Sequence, residues 1–235
     1  MSIFSGPAAS QTWWPGMPRA GAVVLALGLA ACGSGTEAGT TVTVAPGAES
    51  PVAAVEELRT RLGAGDFDAA GALAVPDQAI LASLAEGASP SLIATALEDG
   101  DGEVAANFWS GFAQGVGAAF NGEMSVEEVG SVTERGVEFF LVGVTPEGGE
   151  QRLMVTRDVD GQRIDIFASF GAGLAEGMIS PVELLLGSSS PDARTILAAL
   201  QEVVPSLVVA ATDPSLSPEA VQRILQLIEV ITRVS

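Results

Sequence analysis

Arg152-Leu153-Met154-Val155-Thr156-Arg157-Asp158, then Val159-Asp160-Gly161-Gln162, then Arg163-Ile164-Asp165-Ile166-Phe167, is the stretch that decides the fold. Both flanks alternate apolar and polar residues, the period of a half-buried strand. Asp-Gly is a preferred type I′ pair, because both central residues of that turn need positive φ. With Asp160-Gly161 as a two-residue loop, Val159 faces Gln162, Asp158 faces Arg163, Thr156 faces Asp165 and Met154 faces Phe167. Leu153, Val155, Ile164, Ile166 and Ala168 then share the opposite face. The Asp158–Arg163 pair adds about 0.2–1 kcal/mol in this register. A slip of one residue would exchange the two faces throughout.

Upstream, Val137 to Thr145 reads as a second strand, joined through Pro146-Glu147-Gly148-Gly149. A four-residue loop there puts Phe140 and Val142 on the dry face, and Phe139 and Leu141 with Met154 and Phe167. Ser125 to Thr133 supplies a further strand, with Val126, Val129 and Val132 apolar. Helices flank this meander. Ser-Pro pairs at 50–51, 89–90, 180–181, 190–191 and 217–218 mark helix starts: the hydroxyl caps an orphan amide, and proline has no amide to lose. Helices are expected from Ser50 to about Leu62, from Asp66 to Leu73, from Asp77, from Ser89 to Leu97 and from Val104 to Phe120. After Ser169 come short apolar pieces at Leu174–Ile179 and Val182–Leu186. A helix from Pro191 to Ala211, broken near Pro205, and a last one from Pro218 to Val234 complete the chain. The expected class is α+β. N-terminal helices pack on a three- to four-stranded antiparallel meander, and a C-terminal helical hairpin follows. Residues 49–186 form the main body, and residues 187–235 the hairpin packed on it.

Composition removes whole chemistries. The 235 residues include no His, and all ten cations are Arg, set against 29 Asp+Glu for a net charge of −19. Without His there is no Ser-His-Asp relay and no imidazole metal ligand. Without Lys there is no P-loop lysine and no Schiff base. The single Cys closes no internal disulfide. The charge excludes nucleic acid as a partner, since phosphate backbones demand the opposite sign. With 48% hydrophobic and 17% charged residues, the chain has ample material for a core. The acidic turn Glu98-Asp99-Gly100-Asp101-Gly102-Glu103 fails as a calcium loop. Counted from Asp99, the positions that need Gly and Glu hold Val104 and Ser110. No motif implies a cofactor or a metal.

Met17-Pro18-Arg19 precedes the apolar run Ala20 to Ala31, which is too short for a bilayer span of roughly 20 residues and has the form of a secretory signal. Leu29-Ala30-Ala31-Cys32 resembles the lipobox of bacterial lipoproteins, and Gly33-Ser34-Gly35 fits behind it. The resemblance implies that Cys32 is lipidated and that residues 1–31 are a signal peptide lost on cleavage. It implies anchoring in the bacterial cell envelope, on the outer side of the cytoplasmic membrane or in the outer membrane. Gly33 to Ala48 is rich in Gly, Thr, Ser and Ala, so residues 32–48 read as a flexible tether.

On the second face of the sheet, Phe139, Leu141, Met154 and Phe167 are expected beside Thr156, Arg163 and Asp165. A mostly apolar surface with a few convergent polar groups has the composition of a small-molecule pocket. The opening helix from Ser50, the stop at Gly65-Asp66-Phe67 and the run Gly161-Gln162-Arg163-Ile164-Asp165 together are similar to NTF2-like, cystatin-related cone-fold domains. That resemblance covers about residues 50–175 and implies that the concave face of the sheet is the pocket. The helices after Ser190, and Gln162 and Arg163 where related sequences often carry Trp, depart from it. Three functions follow in order of expectation. The first is a non-enzymatic, lipid-anchored domain that binds an envelope protein or an apolar small molecule. The second is a carrier of lipids or other hydrophobic molecules, held between sheet and helices. The third is an isomerase or hydrolase using Asp165 as its carboxylate, with Thr156 or Arg163 beside it.

Overall fold

The computed structural model describes residues 47–100, 102–120 and 122–233. Cys32, the signal peptide expected at 1–31 and all but the end of the expected tether lie outside these residues. The class is α+β, with helices before and after a four-stranded antiparallel sheet of order β1-β2-β3-β4. The first group comprises α1 (Pro51–Ala64), α2 (Phe67–Ala72), α3 (Gln78–Ala82), a 3-10 turn at Ser83–Glu86, α4 (Pro90–Asp99) and α5 (Gly102–Phe120). The sheet is β1 (Met124–Glu134), β2 (Val137–Pro146), β3 (Arg152–Asp158) and β4 (Gln162–Ile164). Then follow α6 (Ile166–Leu186), α7 (Pro191–Glu202), α8 (Val204–Ala210) and α9 (Pro218–Thr232). Among the described residues no single helix is long and apolar enough to cross a membrane.

Four of the five Ser-Pro pairs start helices as their chemistry requires. Ser50, Ser89, Ser190 and Ser217 each accept a hydrogen bond from the amide three residues on. The fifth pair does not. Ser180-Pro181 lies inside α6, so the two short pieces expected at 174–179 and 182–186 are one 21-residue helix. That helix is held by its surroundings: Leu174, Ala175, Met178, Val182 and Leu185 are all buried. Tertiary packing of this stripe outweighs the amide that Pro181 lacks. The break expected near Pro205 is present, as a 48° bend between α7 and α8.

The hairpin register differs from expectation by one residue, with large effects. Asp158 pairs with Gln162, Arg157 with Arg163 and Thr156 with Ile164. The loop therefore has three residues, Val159, Asp160 and Gly161, with φ of 54° at Asp160 and 102° at Gly161. Asp158 fixes it, because its Oδ1 accepts a bond from the Gly161 amide at 3.1 Å. Gly161 also sits flat against Gly47, where a Cβ would lie 2.8 Å from the Gly47 carbonyl. The β2–β3 loop is likewise one residue longer than expected, since Val142 pairs with Met154 and Leu141 with Val155. Phe139 and Leu141 therefore lie on the Val155 face, and Val142 joins Met154, Thr156 and Ile164. The strand also ends early. Asp165 caps α6, so Ile166 and Phe167 are helical.

The core follows from this corrected register. Val142, Val144, Met154 and Ile164 face the main core, which they share with residues of every helix. Helix α1 touches all four strands. The other face carries a smaller cluster of Phe139, Val155, Ala168 and Val209, the last from α8. Helix α6 is the hub of the helical layer, with α8, α9, α3, α7 and the 3-10 turn packed around it. Gly177 permits one of these approaches: a Cβ there would sit 2.8 Å from the Ala85 carbonyl oxygen. Gly177→Ala should therefore lower the melting temperature. Helix propensity favours Ala by about 1 kcal/mol, but overpacking against rigid backbone costs about 1–3 kcal/mol. A rise in melting temperature would show that the two segments separate freely.

Candidate functional site

Of the residues singled out in the sequence, Asp165 has the most elaborate surroundings. It leaves the end of β4 and forms the N-cap of α6, with its Oδ1 accepting from the Ala168 amide at 2.9 Å. Its Oδ2 accepts from the Ser206 hydroxyl on α8 at 2.8 Å. Arg157 on β3 brings its Nε to 3.3 Å from the same oxygen, as an ion pair rather than an aligned hydrogen bond. Gln78 on α3 accepts from the Ile166 amide through Oε1 at 2.6 Å. Asp165 is fully buried, whereas the Arg157 side chain keeps a fifth of its surface in water. Burial pushes the Asp165 carboxyl above its ordinary range. The Arg157 charge, the Ala168 N–H, the Ser206 O–H and the Gln78 amide all pull the other way.

One carboxylate thus joins β3, α6 and α8, and Gln78 ties α3 to the same turn through the Ile166 amide. The donors around it are those an anion site uses at a helix N-terminus, with the anion supplied by the chain itself. What the arrangement does chemically is to hold four elements in place. A general base must reach its substrate's proton within a hydrogen bond or through one water. Asp165 has no surface from which to do so, and both of its oxygens are engaged.

The other expected pocket residues divide between the two sides of the sheet. Met154 and Phe167 lie in the main core, while Phe139 lies in the smaller cluster with Leu141 packed at its margin. Thr156 is buried and donates to the Gln162 Oε1 at 2.8 Å. Arg163 is 2% exposed; its Nε donates to the Val159 carbonyl at 2.9 Å and its terminal nitrogen to the Ala72 carbonyl. Arg163 and Arg157, opposed across the strands, turn to different acceptors, which relieves the like-charge pairing.

Arg157, Gln78 and Ser206 were not foreseen as Asp165's neighbours. Gln78 and Ser206 have no local signal, since they come from α3 and α8 and meet Asp165 only through the packing of α6. Glu86 was also missed. It closes the 3-10 turn, and its carboxyl lies against Gly111 of α5, where a Cβ would be 3.0 Å from Oε1. Although the residue keeps much of its surface in water, the loss of hydration on that side pushes the carboxyl up to about 7. Among the described residues, no group of three or more Cys, Asp or Glu side chains could hold a metal ion.

No family model matches the chain, and neither does any curated protein or solved structure.

Proposed function

We propose that the chain is a lipid-anchored lipoprotein of the bacterial cell envelope, whose body is a non-enzymatic binding or accessory domain. The anchor rests on Leu29-Ala30-Ala31-Cys32 standing behind an apolar run. On this reading Cys32 carries the lipid, residues 49–186 are the body, and residues 187–235 pack on it as a helical hairpin. The partner is an envelope protein or an apolar small molecule.

The observation that carries the non-enzymatic part is the complete burial of Asp165 with both oxygens engaged. Asp165 was the best carboxylate available for an isomerase or hydrolase in a chain without His or Lys, and here it works as a buried structural carboxyl group. The carrier reading needs space between sheet and helices. Met154, Phe167 and Val142 fill part of that layer as core residues.

Detergent phase partitioning of the native protein tests the anchor. The wild type should enter the detergent phase, and Cys32→Ser should move to the aqueous phase. A wild type found in the aqueous phase with a free thiol at Cys32 removes the anchor and the location together.

A further inference from the structure

The two edges of the sheet are treated differently. The outer edge of β4 is covered by the chain's own backbone: Ala48 bridges Gln162, and Ala74 bridges Ile164. The outer edge of β1 has no strand beside it among the described residues. β1 is also the longest strand, at 11 residues. Five consecutive residues at its middle, Glu127 to Ser131, are exposed on both faces. The register shifts between Glu128 and Gly130, which leaves Val129 out of the pairing with its side chain 45% exposed. An open strand edge carries unpaired N–H and C=O groups, a template for an added strand.

The charge along this edge has one sign. Glu127 and Glu128 lie at its centre on opposite faces, Glu127 accepting from the Gln151 amide at 3.1 Å, with Glu123 just before the strand and Glu147 bonded back to it through the Glu123 carbonyl. Arg135, in the turn to β2, is drawn toward Glu134 at 3.8 Å. Acidic side chains and a bulge are devices that stop an edge from pairing with its own kind. A second copy of this chain, at net charge −19, meets the same repulsion. The same carboxylates attract a strand of opposite charge, so they select as well as exclude.

We propose that the outer edge of β1 is a docking edge for an extended basic segment of another protein, in which Arg or Lys alternates with apolar residues. The segment adds as a fifth strand. Its main chain bonds to β1, and its cations, which all share one face of the added strand, meet Glu128. This is the strand-addition mode of peptide recognition, in which backbone bonds give affinity and alternate side chains give specificity. The inference rests on the reading of the body as a binding domain and is independent of the lipid anchor.

The test uses the full chain and a labelled eight-residue peptide of alternating Arg and Val, with a Glu-Val peptide as control. The Arg-Val peptide should bind and slow amide exchange over residues 125–133, while the Glu-Val peptide should not bind. The double variant Glu127→Arg, Glu128→Arg should weaken binding by about tenfold or more. Both side chains are exposed, so an unchanged melting temperature is expected for that variant. Absence of binding, protection confined to other segments, or binding indifferent to the charge reversal overturns the proposal. A dimer in sedimentation whose formation protects β1 overturns it in favour of a second copy. The probe needs no acyl chain, so failure here with intact detergent partitioning removes the partner chemistry alone. Failure of partitioning leaves the β1 result standing.

Discussion

An Asp165→Ala variant is expected to lose about 3–5 kcal/mol of unfolding free energy, measured by urea denaturation at neutral pH, because one partner of a buried ion pair is deleted. The change removes the cap of α6, worth about 1 kcal/mol by itself. It also strands the Ser206 hydroxyl, which is fully buried on α8, and the guanidinium of Arg157. Asp165→Asn should cost less, since the amide oxygen can still accept from the Ala168 amide. The two variants also differ in pH response. Burial raises the carboxyl of the folded protein, so the native state holds that proton more tightly than the unfolded chain does. Asp165 therefore contributes stability that is fully present below the ordinary carboxylate value of 3.8 and is lost as pH rises through the elevated native value. Asp165→Asn should abolish that slope. A loss below about 1 kcal/mol for Asp165→Ala would mean that the four elements hold together without the carboxylate.

The second large effect is expected at Trp109. Its indole is fully buried on α5, 5.2 Å from the Phe108 ring at 71° and 5.4 Å from the Phe112 ring at 78°. Phe112 in turn meets Phe170 of α6 at 4.8 Å, so the aromatic chain ties α5 to the hub helix. Edge-on pairs of this kind add about 0.5–1.5 kcal/mol each beyond their buried area. Trp109→Ala should cost about 3–5 kcal/mol, from lost transfer energy and the cavity left behind. The Trp109 Nε1 has no hydrogen-bond partner among the described residues. Trp109→Phe thus forfeits area but no polar contact, and should cost less than half as much. Equal losses for the two variants would show that the indole nitrogen is satisfied after all.

The sequence was clearest where the physics is local. Ser50, Ser89, Ser190 and Ser217 announced their helices because capping involves only the next three residues. The meander and its strands were legible from alternation. The register was not, because it depends on loop lengths, and each of two loops holds one residue more than its turn signal suggested. A hydrogen bond from Gly161 to Asp158 and the backbone of Gly47 decide the first of these. The Arg135-Gly136 turn between β1 and β2 also went unread, since Arg at positive φ carries no strong turn signature. Asp165 was singled out from the sequence, but its role depends on Gln78, 88 residues from Ile166, and on Ser206, 41 residues from Asp165. Pairings of that span leave no periodic trace.

The contact between Gly47 and the hairpin turn has a mechanical consequence. The Gly47 amide donates to the Asp160 carbonyl at 2.8 Å, and Ala48 exchanges two bonds with Gln162. A pull transmitted along the chain from residue 46 would meet these three bonds first, ahead of the first turn of α1. They lie at the rim of the sheet and can part singly, like stitches, while the aromatic interior bears none of the load. A pull from the N-terminal side would thus reach the β3–β4 turn before it reached α1.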